Sequence, residues 1–218
     1  EIQGLLLSRI FAVSLVETEY ILFLDDDVSI AKNYLELLVK TVKQNLEVVG
    51  ISGIDLLITK PNIFKRIYHS LFLLKSRSPG KLSITGYGES MQYWQYRRQT
   101  FSTEFLSGCN MTFKRKSLLN IQSVKWLNSY SLGEDVYLSR IANKSGGLII
   151  NPNLEVNHFQ SKTSRDKIQS VSYNEIINHY FLLKLGNAPR WKILLHGWTI
   201  LGIILKNLIS LNFRELKG

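Results

Sequence analysis

The sequence predicts an α/β fold, a mixed and mainly parallel sheet flanked by helices, on three observations. Apolar residues recur at helical spacing over residues 5–15 and again over 32–45. A short continuous apolar run, at residues 20–24 and 48–54, follows each of them. The alternation then resumes with a helix over residues 136–144 and a strand over 148–151.

The elements follow in order. Residues 3–16 read as a helix entering an already started fold, and the strand behind it stops abruptly at three aspartates. In the second helix Leu35, Leu38, Val39 and Val42 fall at i, i+3, i+4 and i+7. Between residues 60 and 103 the pattern breaks into a basic, aromatic segment with Gly80, Gly86 and Gly88, read as long loops or a short hairpin on the acceptor side. Order returns at residues 105–113, and Gly146 and Gly147 stop the helix that ends at residue 144. Residues 151–158 are again strand-like, and from Tyr173 the chain is helical and increasingly apolar. The expected division is a catalytic domain over residues 1–172 and a helical, membrane-associating segment over 173–218.

A chain of 218 residues supports one substantial core. Its net charge of +10 attracts anions without choosing among nucleotides, phospholipid headgroups and nucleic acid. The single cysteine, Cys109, excludes an intramolecular disulfide and a multi-cysteine zinc site, and fits a reducing compartment. The chain shows no signal-peptide pattern and no starting Met, and is expected to be cut from something longer.

Four segments carry chemistry. Phe23-Leu24-Asp25-Asp26-Asp27-Val28 ends a buried strand in clustered carboxylates, which repel one another unless a cation or solvent neutralises them. Hard oxygen ligands beyond a strand end suit Mg²⁺ or Mn²⁺ carrying a diphosphate; a solvated turn with an Asp helix cap is the plain alternative. Leu132-Gly133-Glu134-Asp135 stands just before a helix, where a carboxylate can be aimed into a crevice, and Asp135 is the candidate general base. Both acids could equally be first-turn helix residues. His158, just beyond a strand, can close a metal site begun by Asp25 and Asp27. In Phe105-Leu106-Ser107-Gly108-Cys109-Asn110, Gly108 permits close approach to a ligand and Asn110 offers a donor and an acceptor to a sugar, although a β-bulge fits as well. His69, His179 and His196 are given no chemistry.

These segments, in this order over residues 4–158, resemble the family 2 glycosyltransferases of the GT-A fold. The resemblance implies an inverting transfer from a nucleotide-diphosphate sugar to a glycan or lipid-linked acceptor. It places Asp25, Asp26 and Asp27 at the sugar nucleotide, Asp25, Asp27 and His158 at the metal, Gly108, Asn110 and Glu134 at the sugars, and Asp135 as base. Arg9 stands where the family has the Arg of an Arg-Asn pair, whereas Ile10 departs from the Asn. The family's opening strand and its base-reading acid are expected ahead of Gly4, so weak activity is expected of this chain alone.

The apolar run over residues 193–211 is interrupted by His196 and Lys206 and flanked by Trp191 and Trp198. It fits a helix lying in a membrane interface, a marginal span or a buried core helix. From Gln160 onward nine Lys or Arg face three Asp or Glu, which favours the anionic cytoplasmic leaflet. Two other functions compete. A haloacid-dehalogenase-like phosphatase would use Asp25 as nucleophile. A basic, non-enzymatic module would bind nucleic acid or membrane through Tyr93, Trp94, Tyr96, Arg97 and Arg98. The transferase reading expects no nucleic-acid partner.

Overall fold

The computed structural model describes residues 4–127, 132–159 and 168–209. Along it run α1 (Leu5–Leu15), β1 (Tyr20–Leu24), β2 (Val28–Ile30), α2 (Tyr34–Gln44), β3 (Val48–Asp55), α3 (Ile63–Leu71), β4 (Phe101–Thr103), β5 (Asn110–Lys114), α4 (Glu134–Ala142), β6 (Gly147–His158), α5 (Ile168–Leu185) and α6 (Arg190–Ile209). Every residue of β3 is buried, as an apolar strand with sheet neighbours on both edges and helices on both faces should be.

The strands lie in the order β1-β5-β3-β6-β2, with β4 against the first half of β6. The sheet is mixed, but the expectation of a mainly parallel one is corrected. Among the described residues only β3 and β6 pair in parallel, and the other four pairings are antiparallel. β1, β3 and β6 do share one direction, as helix-linked strands require. β5, however, inserts between β1 and β3 and runs against both. A strand arriving from a loop needs no crossover helix, so the helix-strand alternation carries no trace of it.

Hydrophobic clusters cover both faces. On one, Leu6 and Val13 of α1 pack with Phe23, Phe113, Leu138 and Leu182. On the other, Tyr34 and Leu38 of α2 pack with Ile51 and Val156. Leu182 belongs to α5, which further joins this layer through Asn178, whose side-chain amide donates to the Leu132 carbonyl (2.8 Å). At roughly 1.5–3 kcal/mol for each large apolar side chain, these two layers hold the sheet from both sides.

Residues 60–103 are not only loops. They contain α3 and a 3₁₀ turn, Glu89–Tyr96. Asn62 caps α3, its side chain accepting from the Lys65 amide (2.8 Å). A small cluster of Phe72, Leu74, Tyr87 and Ile203 joins this region to α6.

α6 is built the other way round from a core helix. His196, Thr199 and Asn207 face inward and are buried, while Trp191, Leu194, Trp198, Leu201, Leu205 and Leu208 face out. No helix among the described residues is long and apolar enough to cross a membrane, so the marginal span over residues 193–211 has no support. Lys206 stays exposed beside the outward residues, and Ile203 is the apolar residue of the helix that is buried. Residues 160–167 and 210–218, which carry part of the basic count after Gln160, lie outside the described residues.

Candidate active site

The site is assembled at the carboxyl end of β1. There the register Leu24 opposite Asn110 brings the Gly108–Cys109 turn beside the first aspartate, and the Asp25 amide donates to the Cys109 carbonyl (3.3 Å). The Val28 amide donates to the Asp25 carbonyl (3.3 Å), turning the chain into β2. β2 then pairs with β6 so that Val28 faces His158, and the Phe159 amide donates to the Asp27 carbonyl (2.9 Å).

These backbone ties bring three side chains together. His158 Nε2 lies 3.0 Å from Asp27 Oδ1 and 3.9 Å from Asp25 Oδ2. One donor atom from each of Asp25, Asp27 and His158 lies within 4.8 Å of the others. Adjacent ligands of a small octahedral cation, bound at 2.0–2.1 Å, stand about 3 Å apart, so the donor set fits Mg²⁺ or Mn²⁺. Asp26 is exposed and outside the cluster. Sequence reasoning missed Asp55, the buried last residue of β3, whose Oδ1 accepts from the His158 amide (3.2 Å) and fixes where β6 delivers the imidazole. Its signal was slight: one carboxylate at a strand end.

Arg9 joins this cluster to the candidate base. Its guanidinium donates to Glu134 Oε1 (2.5 Å), to the Gly108 carbonyl (3.0 Å) and to Asp25 Oδ1 (3.3 Å). It is only 5% exposed and rests on the Phe23 ring, so it holds the carboxylates from within the fold. Glu134 is likewise buried, whereas Asp135 is half-buried. Asp135 Oδ1 also accepts from the Val136 amide (2.8 Å), which fixes the carboxylate at the helix start.

Gly108 packs against both acids. A Cβ there would meet Glu134 Oε1 at 3.3 Å and Asp135 Oδ2 at 3.7 Å, so a side chain would press on the two carboxylates. Burial raises the pKa of Glu134 and of Asp135 above the usual carboxylate range; Arg9 opposes both shifts. Asp25 is raised too, chiefly by desolvation, with Arg9 and His158 pulling it down.

Asn110 lies inside the sheet, its side-chain nitrogen without a hydrogen-bond partner. It is fully buried, and its side-chain oxygen accepts from the Ser52 hydroxyl and from the Gly53 amide (3.1 Å), tying β5 to β3. Cys109 packs in the α2-side cluster, with burial pushing its thiol up to about 11. Arg9, Asp25, Asp27, Gly108, Glu134, Asp135 and His158 therefore come together, and Asp26 and Asn110 stand apart.

Residues 2–121, more than half of the chain, match the family model described as glycosyl transferase family 2. Arg9, the three aspartates and Gly108 fall inside the matched stretch, while Glu134, Asp135 and His158 lie beyond it. No curated protein matches the chain.

Proposed function

The chain belongs to glycosyl transferase family 2 and is a glycosyltransferase, and from that premise we propose that it works with inversion, taking its sugar from a nucleotide-diphosphate donor. Asp25, Asp27 and His158 would hold Mg²⁺ or Mn²⁺, which when bound neutralises the charge of the departing diphosphate. Asp135 serves as the base.

One observation carries the reading. Through Arg9, Asp25 of the metal-type cluster is tied to Glu134, the neighbour of Asp135, and to the Gly108 carbonyl, which supports placing the diphosphate end beside the base. The acceptor hydroxyl oxygen attacks the anomeric carbon from the side of Asp135, which takes its proton. The bond from that carbon to the diphosphate breaks on the opposite face, and its electron pair leaves with the nucleotide. A pKa raised by burial makes the Asp135 carboxylate a stronger base than an ordinary aspartate. Arg9 holds Asp25 and Glu134 in place and offsets their charge.

The acceptor is a glycan or lipid-linked hydroxyl at the cytoplasmic face of a membrane. The outward apolar stripe of α6 and the net charge of +10 support that surface.

Thermal stabilisation by UDP-, GDP- and dTDP-sugars, with and without Mn²⁺, tests the reading. One nucleotide class should stabilise the protein only when Mn²⁺ is present, and Asp27→Ala should abolish that shift. Asp135→Asn should keep the shift and lose transfer by about 10²–10⁴-fold. The reverse pattern would exchange the two roles, and no Mn²⁺-dependent shift with any sugar nucleotide would sink the proposal.

A further inference from the structure

A cavity of about 350 Å³ opens between α3 and the turn Glu89–Tyr96, and Lys60, Arg66, Lys75, Arg77 and Arg97 line it with no carboxylate among its walls. None of the five makes a salt bridge among the described residues. Aromatic faces stand in for counter-ions. Lys75 Nζ lies 5.1 Å and Arg66 Cζ 5.9 Å from the Tyr93 ring centre, and Lys60 Nζ lies 4.9 Å from that of Tyr96. Arg66 Nε is buried with no hydrogen-bond partner. Five cations gathered around one space repel one another, and a buried guanidinium nitrogen without a partner is costly, so the pocket is arranged for an anion.

The anion's carrier is indicated by the neighbouring surface. Arg66 and Lys75 also border a shallow apolar depression with Ile63, Ile67 and Leu71 of α3. Phe64, on the same helix, is 80% exposed. This stripe continues into that of α6. Trp198 Nε1 donates to the Leu71 carbonyl (2.9 Å), its ring stacks on Phe72 at 5.3 Å, and the Tyr68 hydroxyl donates to the Gly202 carbonyl. Two helices thus present one apolar face with a basic pocket at its border, which is complementary to acyl chains beside phosphates.

We propose that this face docks on an anionic phospholipid bilayer, with a lipid phosphate seated in the pocket of Arg66 and Lys75 and the outward side chains of α3 and α6 among the acyl chains. The inference rests on the reading that the enzyme works against a membrane, and adds to it a second helix and a headgroup site. Ile58 links it to the metal-type cluster, lying three residues beyond Asp55 and accepting at its carbonyl from the side-chain amide of Gln95, in the turn that walls the pocket.

The test is co-sedimentation of the whole chain with phosphatidylcholine vesicles, with and without phosphatidylglycerol. Binding should require phosphatidylglycerol. Arg66→Gln with Lys75→Gln should weaken it about 25-fold, from roughly fivefold for each cation. Phe64→Ser with Ile67→Ser should weaken it about tenfold or more, and inorganic phosphate at matched concentration should not displace the protein. All four side chains are at least partly exposed, and unchanged melting temperatures would show that the variants fold.

Full binding by both double variants, with loss only in Leu201→Ser with Leu205→Ser, would overturn the α3 site and leave the membrane reading standing. Failure of the unaltered chain to bind either vesicle would overturn both. Displacement by inorganic phosphate, with Phe64→Ser and Ile67→Ser without effect, would make the pocket a soluble-anion site. Self-association lost in those variants, without vesicle binding, would assign the face to a second copy of the chain; either result overturns the proposal.

Discussion

Removing the Arg9 guanidinium would leave Glu134 buried without its counter-ion and the Gly108 carbonyl without its donor. Arg9→Met should therefore cost about 3–5 kcal/mol in urea unfolding, and adding Glu134→Leu should restore much of that loss. Glu134 and Asp135 also set a pH dependence. Because burial raises both pKa values in the folded state, their contribution is fully present below the ordinary carboxylate range near pH 4 and is lost as pH rises through the raised values. The stability difference between Glu134→Gln and the unaltered protein should accordingly drift in favour of the variant from pH 4 to pH 8, read from urea midpoints. A constant difference would show that Glu134 titrates alike in both states. Asp25, Asp27, Glu134, Asp135 and His158 were expected together from their places at strand and helix ends, and the fold does bring them together. The Asn110 oxygen turns toward β3, and a polar residue inside a sheet looks the same in sequence whether it turns toward ligand or toward the next strand. Asp55 had no pattern around it.

At the scale of elements, α1, α2 and α4 were readable from apolar residues at helical spacing, although Leu35 and Val39 of α2 face outward, and the observed helices fall within about two residues of the expected bounds. α3 has a comparable signal, with Ile63, Phe64, Ile67 and Leu71 behind an Asn62 cap, but those residues face outward and sit among basic and aromatic neighbours that obscured it. Its junction with α6 depends on a close approach. A Cβ at Gly202 would fall 2.4 Å from Phe72 Cγ and 2.5 Å from Phe72 Cβ. Gly202→Ala should thus push α6 outward, at about 1–3 kcal/mol. Fluorescence should follow it: Trp198, freed from Phe72 and from the Leu71 carbonyl, should emit at longer wavelength. Unchanged emission would show that the junction absorbs the methyl group.

Over the whole molecule, the layered α/β plan was evident from the alternation, and the strand directions were not, because β5 enters from a loop and lies between strands that precede it. The same insertion makes the site a long-range object. Arg9 comes early in the chain, yet it binds the carbonyl of Gly108 and the carboxylate of Glu134, 125 residues later, and His158 follows only at the end of β6. On the ribosome, a nascent chain would display its acid-tipped strand and an uncommitted guanidinium long before their partners emerge from the exit tunnel. The site must therefore assemble late in synthesis, and a chain stalled ahead of β6 would expose the carboxylates without the imidazole that joins them.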